Sequence, residues 1–276
     1  MPSFGFQQGK TMTRLPSLFV SHGAPTFATE PGRAGPLLRD TAQSLPRPKA
    51  VLILSPHWIT RDVEVSTAAA PETIHDFGGF PDELYQIQYP APGSPEVAAR
   101  AIELLQAAGF KARANPSRGL DHGAWVPVRH MYPDADVPVV QVSMPHTLDG
   151  ESALAFGRAL APLADEGVLI IGSGSLTHNL YEFRGGATEA APYAVEFVDW
   201  ARKAVRGHDA NALSHYLESA PHAKRAHPTP DHYLPLPFAY GAAPQGGEVK
   251  VLDGGILYGM LAMESYLFGD AQAAAA

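Results

Sequence analysis

The stretch that decides the fold is LILSPHWIT, Leu52–Thr60. It opens as an apolar, β-branched run, the composition of a strand buried on both faces of a sheet. It then meets Pro56 and His57, neither of which belongs in the middle of a buried ladder. LFVSHGAP, Leu18–Pro25, repeats the pattern and ends on His22. GVLIIGSGS, 167–175, is a third such run, followed closely by His178. VPVVQVSM, 137–144, is a fourth. Between these strands lie helical patterns. SPEVAARAIELLQAAG, Ser94–Gly109, has a serine N-cap, a proline in its first turn and a glycine stop. Stretches 150–167, 191–207 and 209–219 read as further helices. Strands alternating with helices predict an α/β fold: a single domain with a mostly parallel central sheet flanked by helices. Two Pro/Gly-rich segments, 68–95 and 219–241, read as long loops at the active-site edge.

The bulk numbers set bounds. A chain of 276 residues, 45% hydrophobic and 17% charged, can bury a sizeable core. Residues 15–268 are expected to form one catalytic domain, between a flexible lead-in over 1–14 and a frayed tail over 269–276. A net charge of −8 argues against nucleic-acid and acidic-membrane partners. No apolar run reaches the length of a membrane span, so a cytoplasmic protein is the expectation, with self-association left open. With no cysteine, any metal must be held by His, Asp or Glu.

Histidine is abundant, at 12 residues. A single histidine is more often a surface or core residue than a ligand. That reading weakens for His22, His57 and His178, because each follows a strand-like run. In open α/β sheets ligands bind beyond the carboxyl ends of the strands, so three parallel strands would bring these histidines to one edge. His122, in GLDHGAW, and His232, in HPTPDHYLP, sit in tight loops beside Asp121 and Asp231. His75, in TIHDFGGFP, either lines a pocket or caps a turn. His227 reads as an incidental histidine of a Pro-rich surface turn. GSGSLTHN lacks both the P-loop ending and the nucleophile-elbow spacing, so phosphate binding and a Ser173 nucleophile are weak alternatives.

LFVSHGAP, LILSPHW, HDFGGFP, YPAPGSP, DHGAW, SGSLTHNL and PTPDHYLPL, in this order along one chain, resemble the class III extradiol ring-cleavage dioxygenases, most nearly the 4,5-DOPA extradiol branch. The resemblance runs from about Leu15 to about Leu267. It implies a mononuclear metal site that uses O2 to cleave a catechol, such as L-DOPA, beside its two hydroxyls. It assigns His22, His57 and His232 as metal ligands, and His178 as the active-site base that also closes the resting metal shell. His122 would be a second catalytic histidine at the substrate oxygens, with His75 and Asp121 near the substrate. The histidine-only ligand set departs from the two-His-one-carboxylate pattern of non-haem Fe(II) oxygenases. Fe(II) is therefore expected for activity, and Zn(II) would suit the same site. A zinc-dependent hydrolase and a catalytically silent metal-binding scaffold stand as alternatives. The first lacks an evident carboxylate base in these motifs.

Overall fold

A computed structural model of the chain describes residues 14–270. The lead-in up to residue 13 and the tail from residue 271 lie outside the described residues. The strands are β1 (Ser17–Ser21), β2 (Ala50–Thr60), β3 (Val63–Ser66), β4 (Ala112–Asn115), β5 (Val139–Pro145), β6 (Val168–Gly174), β7 (Val249–Leu252), β8 (Ile256–Leu257), β9 (Leu261–Ala262) and β10 (Ser265–Phe268). Eight form one sheet in the order β4-β3-β5-β2-β6-β1-β10-β7, and β8 pairs separately with β9. The centre, β5-β2-β6-β1, is parallel throughout. β3 is antiparallel to β5, and β10 is antiparallel to β1. The four strands expected from the sequence are these four central ones. Every residue of β1 and β6 is buried, which explains their unbroken apolar character.

Helices flank the sheet at Ala34–Ser44, Pro95–Ala107, His122–Met131, Gly150–Leu160, Pro192–Arg206 and Pro235–Ala242. Ser94 caps Pro95–Ala107 by accepting from the Val97 N–H at 3.3 Å, and Gly109 beyond its end has φ +88°. The stretch expected as one helix over 150–167 is broken at Pro162, which starts a separate turn at Pro162–Asp165. The helix expected over 209–219 is two short turns. Ser214 Oγ and His215 Nδ1 both turn back onto the Asn211 carbonyl there and compete with the helical ladder. The 219–241 stretch is not loop throughout, because Pro235–Ala242 begins a buried helix within it.

That helix packs unusually close to β6. A Cβ on Gly172 would lie 2.1 Å from the Pro235 carbonyl oxygen, and one on Gly174 would lie 2.3 Å from that of His232. The glycines of IIGSGS therefore admit the 232–235 backbone onto one face of the strand; they do not cradle phosphate. Ser173, between them, points to the opposite face and donates to the Gly123 carbonyl at the start of His122–Met131. The two helices thus clamp β6 from either side, and both carry a histidine at the end nearest the strand's carboxyl terminus.

β2 departs from expectation in a way that matters for the site. The strand does not stop before His57 but continues to Thr60. Leu54 pairs with Val142 and Ile59 with Met144, so the intervening residues bulge from the ladder. Pro56, with no N–H to give, sits in this irregular stretch, and the bulge re-aims His57.

Candidate metal centre

His22 follows β1 directly. Its backbone N–H continues the ladder to the Gly174 carbonyl at 2.9 Å, and Gly23, at φ +67°, turns the chain away. His57 comes from the β2 bulge. His122 is the first residue of His122–Met131, not a loop residue as its sequence setting indicated. His232 precedes Pro235–Ala242, and His178 lies just past β6. Ligand nitrogens of His22, His57 and His122 all fall within 4.8 Å of one another. The His232 ring centroid lies 5.3 Å from that of His22 and 5.1 Å from that of His57. His178 stacks on His232, centroids 3.6 Å apart and planes within 4°. The five histidines singled out from strand ends and tight turns are therefore gathered into one cluster.

Hydrogen bonds fix which ring nitrogen faces the centre. Ser173 gives its proton to the Gly123 carbonyl, so its oxygen accepts from His22 Nδ1 at 3.0 Å. His22 Nε2 is left with a lone pair, 3.1 Å from His57 Nε2. His57 Nδ1 faces Asp76 Oδ2 at 3.7 Å. His122 Nδ1 donates to the same oxygen at 3.0 Å. His232 Nδ1 donates to Asp231 Oδ2 at 2.5 Å, and its Nε2 is buried without a partner. A hydroxyl or carboxylate behind Nδ1, with Nε2 turned inward, is the usual arrangement of metal-binding imidazoles.

The electrostatics agree. Burial, followed by the neighbouring histidines, holds His22 well below the ordinary imidazole range. Burial and then His122 lower His57 to about 4. Burial brings His232 to about 3, against the pull of Asp231. Burial also lowers His178. Burial alone would raise Asp76, but the side-chain and backbone hydrogen bonds from His122 and the charges of His122 and His57 together outweigh it and bring the carboxyl to about 2. Near neutral pH His22, His57, His178 and His232 are uncharged imidazoles, with the anionic carboxylates of Asp76 and Asp231 behind the cluster. At 3.1 Å the facing Nε2 atoms of His22 and His57 are close enough for one to donate to the other, through a proton that a cation between them would replace. The orphaned Nε2 of His232 and the all-nitrogen donor set therefore fit a divalent first-row metal.

Other expected residues fall outside this cluster. Asp121, expected near the substrate, is fully buried. Its carboxylate is taken up by Ser55 Oγ at 2.7 Å, Arg118 Nη2 at 2.9 Å, Gln141 and the capped Ala124 N–H. It supports the floor of the site and faces no open space. His75 gives Nε2 to the Ile87 carbonyl at 2.9 Å and lies among Phe77, Tyr85 and Trp125. His227 is not on a surface turn. It is 2% exposed, with Nε2 on the Leu176 carbonyl and Phe197, Tyr216 and Tyr233 around it. Ser173, weighed above as a nucleophile, is buried and orients His22 instead. Sequence reasoning passed over Asp76. Its one signal was its place after His75 in HDFGGFP, a segment already marked as part of the resemblance.

The family model described as the catalytic LigB subunit of aromatic ring-opening dioxygenase matches residues 19–268. The chain belongs to this family. It is therefore an aromatic ring-opening dioxygenase by descent, an oxidoreductase. It is 42% identical over 249 residues to a 4,5-DOPA dioxygenase extradiol of Beta vulgaris, covering 87% of this chain and 93% of that one. It is 37% identical over 261 residues to a protein of the same name from Escherichia coli, covering 93% and 96%. A crystal structure of an uncharacterised Escherichia coli protein superposes with a TM-score of 0.76 at 30% identity, covering 93% of this chain and all of the other. The dioxygenase keeps the mostly parallel sheet of that structure. Among its described residues no helix is long and apolar enough to cross a membrane.

Proposed function

We propose that this dioxygenase opens a catechol ring such as that of L-DOPA in the extradiol sense, at a mononuclear metal held by His22, His57 and His232. The observation that carries the ligand set is the buried, unpartnered Nε2 of His232 beside the facing Nε2 atoms of His22 and His57. Relatives named as 4,5-DOPA dioxygenases support the substrate class. Fe(II) is the active metal in this reading, and Zn(II) fits the same donors. Residues 15–268 act as one catalytic domain. The acidic net charge fits a cytoplasmic enzyme of small molecules with no nucleic-acid or membrane partner.

When bound, the metal supplies Lewis acidity toward the catechol oxygens and the redox chemistry with O2. The protein's own groups do the rest. His178, kept neutral by burial, is a base suited to taking a hydroxyl proton from the incoming catechol. Stacked on His232, it would close the resting site around a bound metal and yield to an incoming substrate. His122 keeps its proton on Nδ1, toward Asp76, and offers Nε2 to the substrate oxygens. Phe77, edge-on to His122 at 5.7 Å, and His75 behind it give the ring an aromatic wall. Asp121 takes the role of a support. The bond broken lies beside the two hydroxyl-bearing carbons, and both atoms of O2 enter the product.

The test is anaerobic loading with Fe(II), then addition of O2 to a small panel of para-substituted catechols. O2 uptake with the visible absorbance of a ring-opened semialdehyde is the expected result. Verified Fe(II) occupancy with no uptake on any catechol would overturn the reading and favour the scaffold. Turnover of esters or amides instead would favour the hydrolase.

A further inference from the structure

One carboxylate touches two of the clustered histidines. Asp76 Oδ2 accepts from His122 Nδ1 at 3.0 Å and faces His57 Nδ1 at 3.7 Å. Its other oxygen, Oδ1, accepts from the His122 backbone N–H at 2.8 Å. That N–H is one of the unpaired donors at the start of His122–Met131, so the contact also fixes where the helix begins. The His57 and His122 ring centroids are 4.0 Å apart, closer than any other imidazole pair in the cluster except the His178–His232 stack. Asp76 lies against both rings on the side away from their Nε2 atoms. It is anchored by two hydrogen bonds to His122 and comes from a different part of the chain than either histidine.

We propose that Asp76 is a positioning residue that sets the tautomer of His122 by a hydrogen bond and, by its charge 3.7 Å from His57 Nδ1, favours the form of His57 that presents an Nε2 lone pair to a metal. The inference rests on the functional reading above only for the identity of what the lone pairs face. The tautomer argument follows from the donors and acceptors alone. A carboxylate can only accept, so the His122 Nδ1 bonded to it carries the proton. An asparagine in its place has one acceptor and one donor. Its oxygen must stay on the His122 backbone N–H, because the reverse orientation sets two donors against each other. The amide NH2 would then face His122 Nδ1, and that ring would answer with a lone pair at Nδ1 and a proton at Nε2. A protonated Nε2 neither binds a metal nor accepts a proton from a catechol. Asp76→Asn is close to isosteric, so it tests the acceptor and not the space.

The experiment compares wild type, Asp76→Asn and Asp76→Glu by nitrogen-15 NMR of the imidazoles in metal-free protein, alongside zinc affinity by chelator competition. In wild type the expected state of His122 is Nδ1–H. In Asp76→Asn His122 moves to Nε2–H, and zinc affinity falls by roughly 10–100-fold, the scale of losing a group that orients a metal-binding histidine. Asp76→Glu keeps an acceptor and restores the Nδ1–H tautomer at least in part. A folded Asp76→Asn protein that keeps His122 as Nδ1–H would overturn the proposal. So would a His122 that is Nε2–H already in wild type. Wild-type protein that binds no zinc at the cluster would defeat the functional reading while the tautomers still decide the role of Asp76.

Discussion

Gly123 offers a test of packing at the centre, because its substitution by alanine pulls in two directions. Gly123 is the second residue of His122–Met131 and its φ is not positive, so the backbone accepts alanine without strain. Helix propensity alone predicts that Gly123→Ala stabilises by up to about 1 kcal/mol. The surroundings predict the opposite. A Cβ there would lie 2.4 Å from Ser55 Oγ, 2.9 Å from His57 Cδ2 and 3.3 Å from Asp121 Oδ1. Ordinary van der Waals contact begins near 3.4 Å. The serine oxygen must therefore retreat by about 1 Å and the imidazole by about 0.5 Å, an overpacking that costs roughly 1–3 kcal/mol. Ser55 cannot simply rotate, because its hydroxyl donates to buried Asp121 at 2.7 Å. The metal-free variant should then be less stable by up to about 2 kcal/mol, or several degrees in Tm for a chain of this size. Because the displaced ring is His57, zinc affinity should fall as well. Thermal melting of metal-free protein and chelator competition measure the two effects. A variant that melts at or above wild type and binds zinc equally well would refute the steric reasoning and detach His57 from the metal.

The catalytic histidines should separate by metal content: His22→Ala, His57→Ala and His232→Ala lose the metal, whereas His178→Ala keeps most of it and loses turnover by roughly 10²–10⁴-fold. Elemental analysis beside O2 uptake checks this; an emptied His178→Ala with a loaded His232→Ala would exchange their roles, and a loaded His232→Ala with an emptied His122→Ala would move the third ligand to His122. His227→Ala should leave metal content unchanged while lowering the Tm, because its Nε2 serves the buried Leu176 carbonyl and its ring fills an aromatic cluster. Metal-free protein should lose stability as pH falls from about 6.5 toward 4. His57 and His227 are lowered to about 4 and His232 to about 3 from an ordinary 6.5, so the unfolded chain binds more protons in that window. Melting curves of chelator-treated protein between pH 5 and 8 should show a flat upper limb and a falling lower one; a midpoint that rises on acidification would contradict the neutral cluster.

The centre of the sheet was legible because β5, β2, β6 and β1 are covered on both faces and so read as unbroken apolar runs. The outer strands were not. ARAN in β4 and VKVL in β7 are short edge strands that mix polar with apolar residues, while VEVS in β3 is buried but only four residues long and carries Glu64, which breaks its apolar run. His22 and His178 stood out because they follow strand ends. His57 was found for a slightly wrong reason: it lies in a bulge of a strand that goes on, and one sequence does not reveal the partner's register. Asp76 escaped because an acid beside a histidine signals nothing until the fold brings helix His122–Met131 against it. His227 was misplaced on the surface because prolines around it spell a turn, while the packing of Phe197 and Tyr233 over it is a long-range fact. The glycines of GSGS had a role that no local motif encodes, the close passage of the His232 backbone over β6.

The central claim is that this histidine cluster, carrying Fe(II), inserts both atoms of O2 into a catechol at a bond beside its hydroxyls. The most direct measurement is mass spectrometry of the product formed from L-DOPA under isotopically labelled O2, with His22→Ala treated in parallel. A ring-opened semialdehyde carrying two labelled oxygen atoms, formed by wild type and absent with His22→Ala, is the predicted result. A quinone without label, a product opened between the two hydroxyl carbons, or equal product from His22→Ala would contradict it.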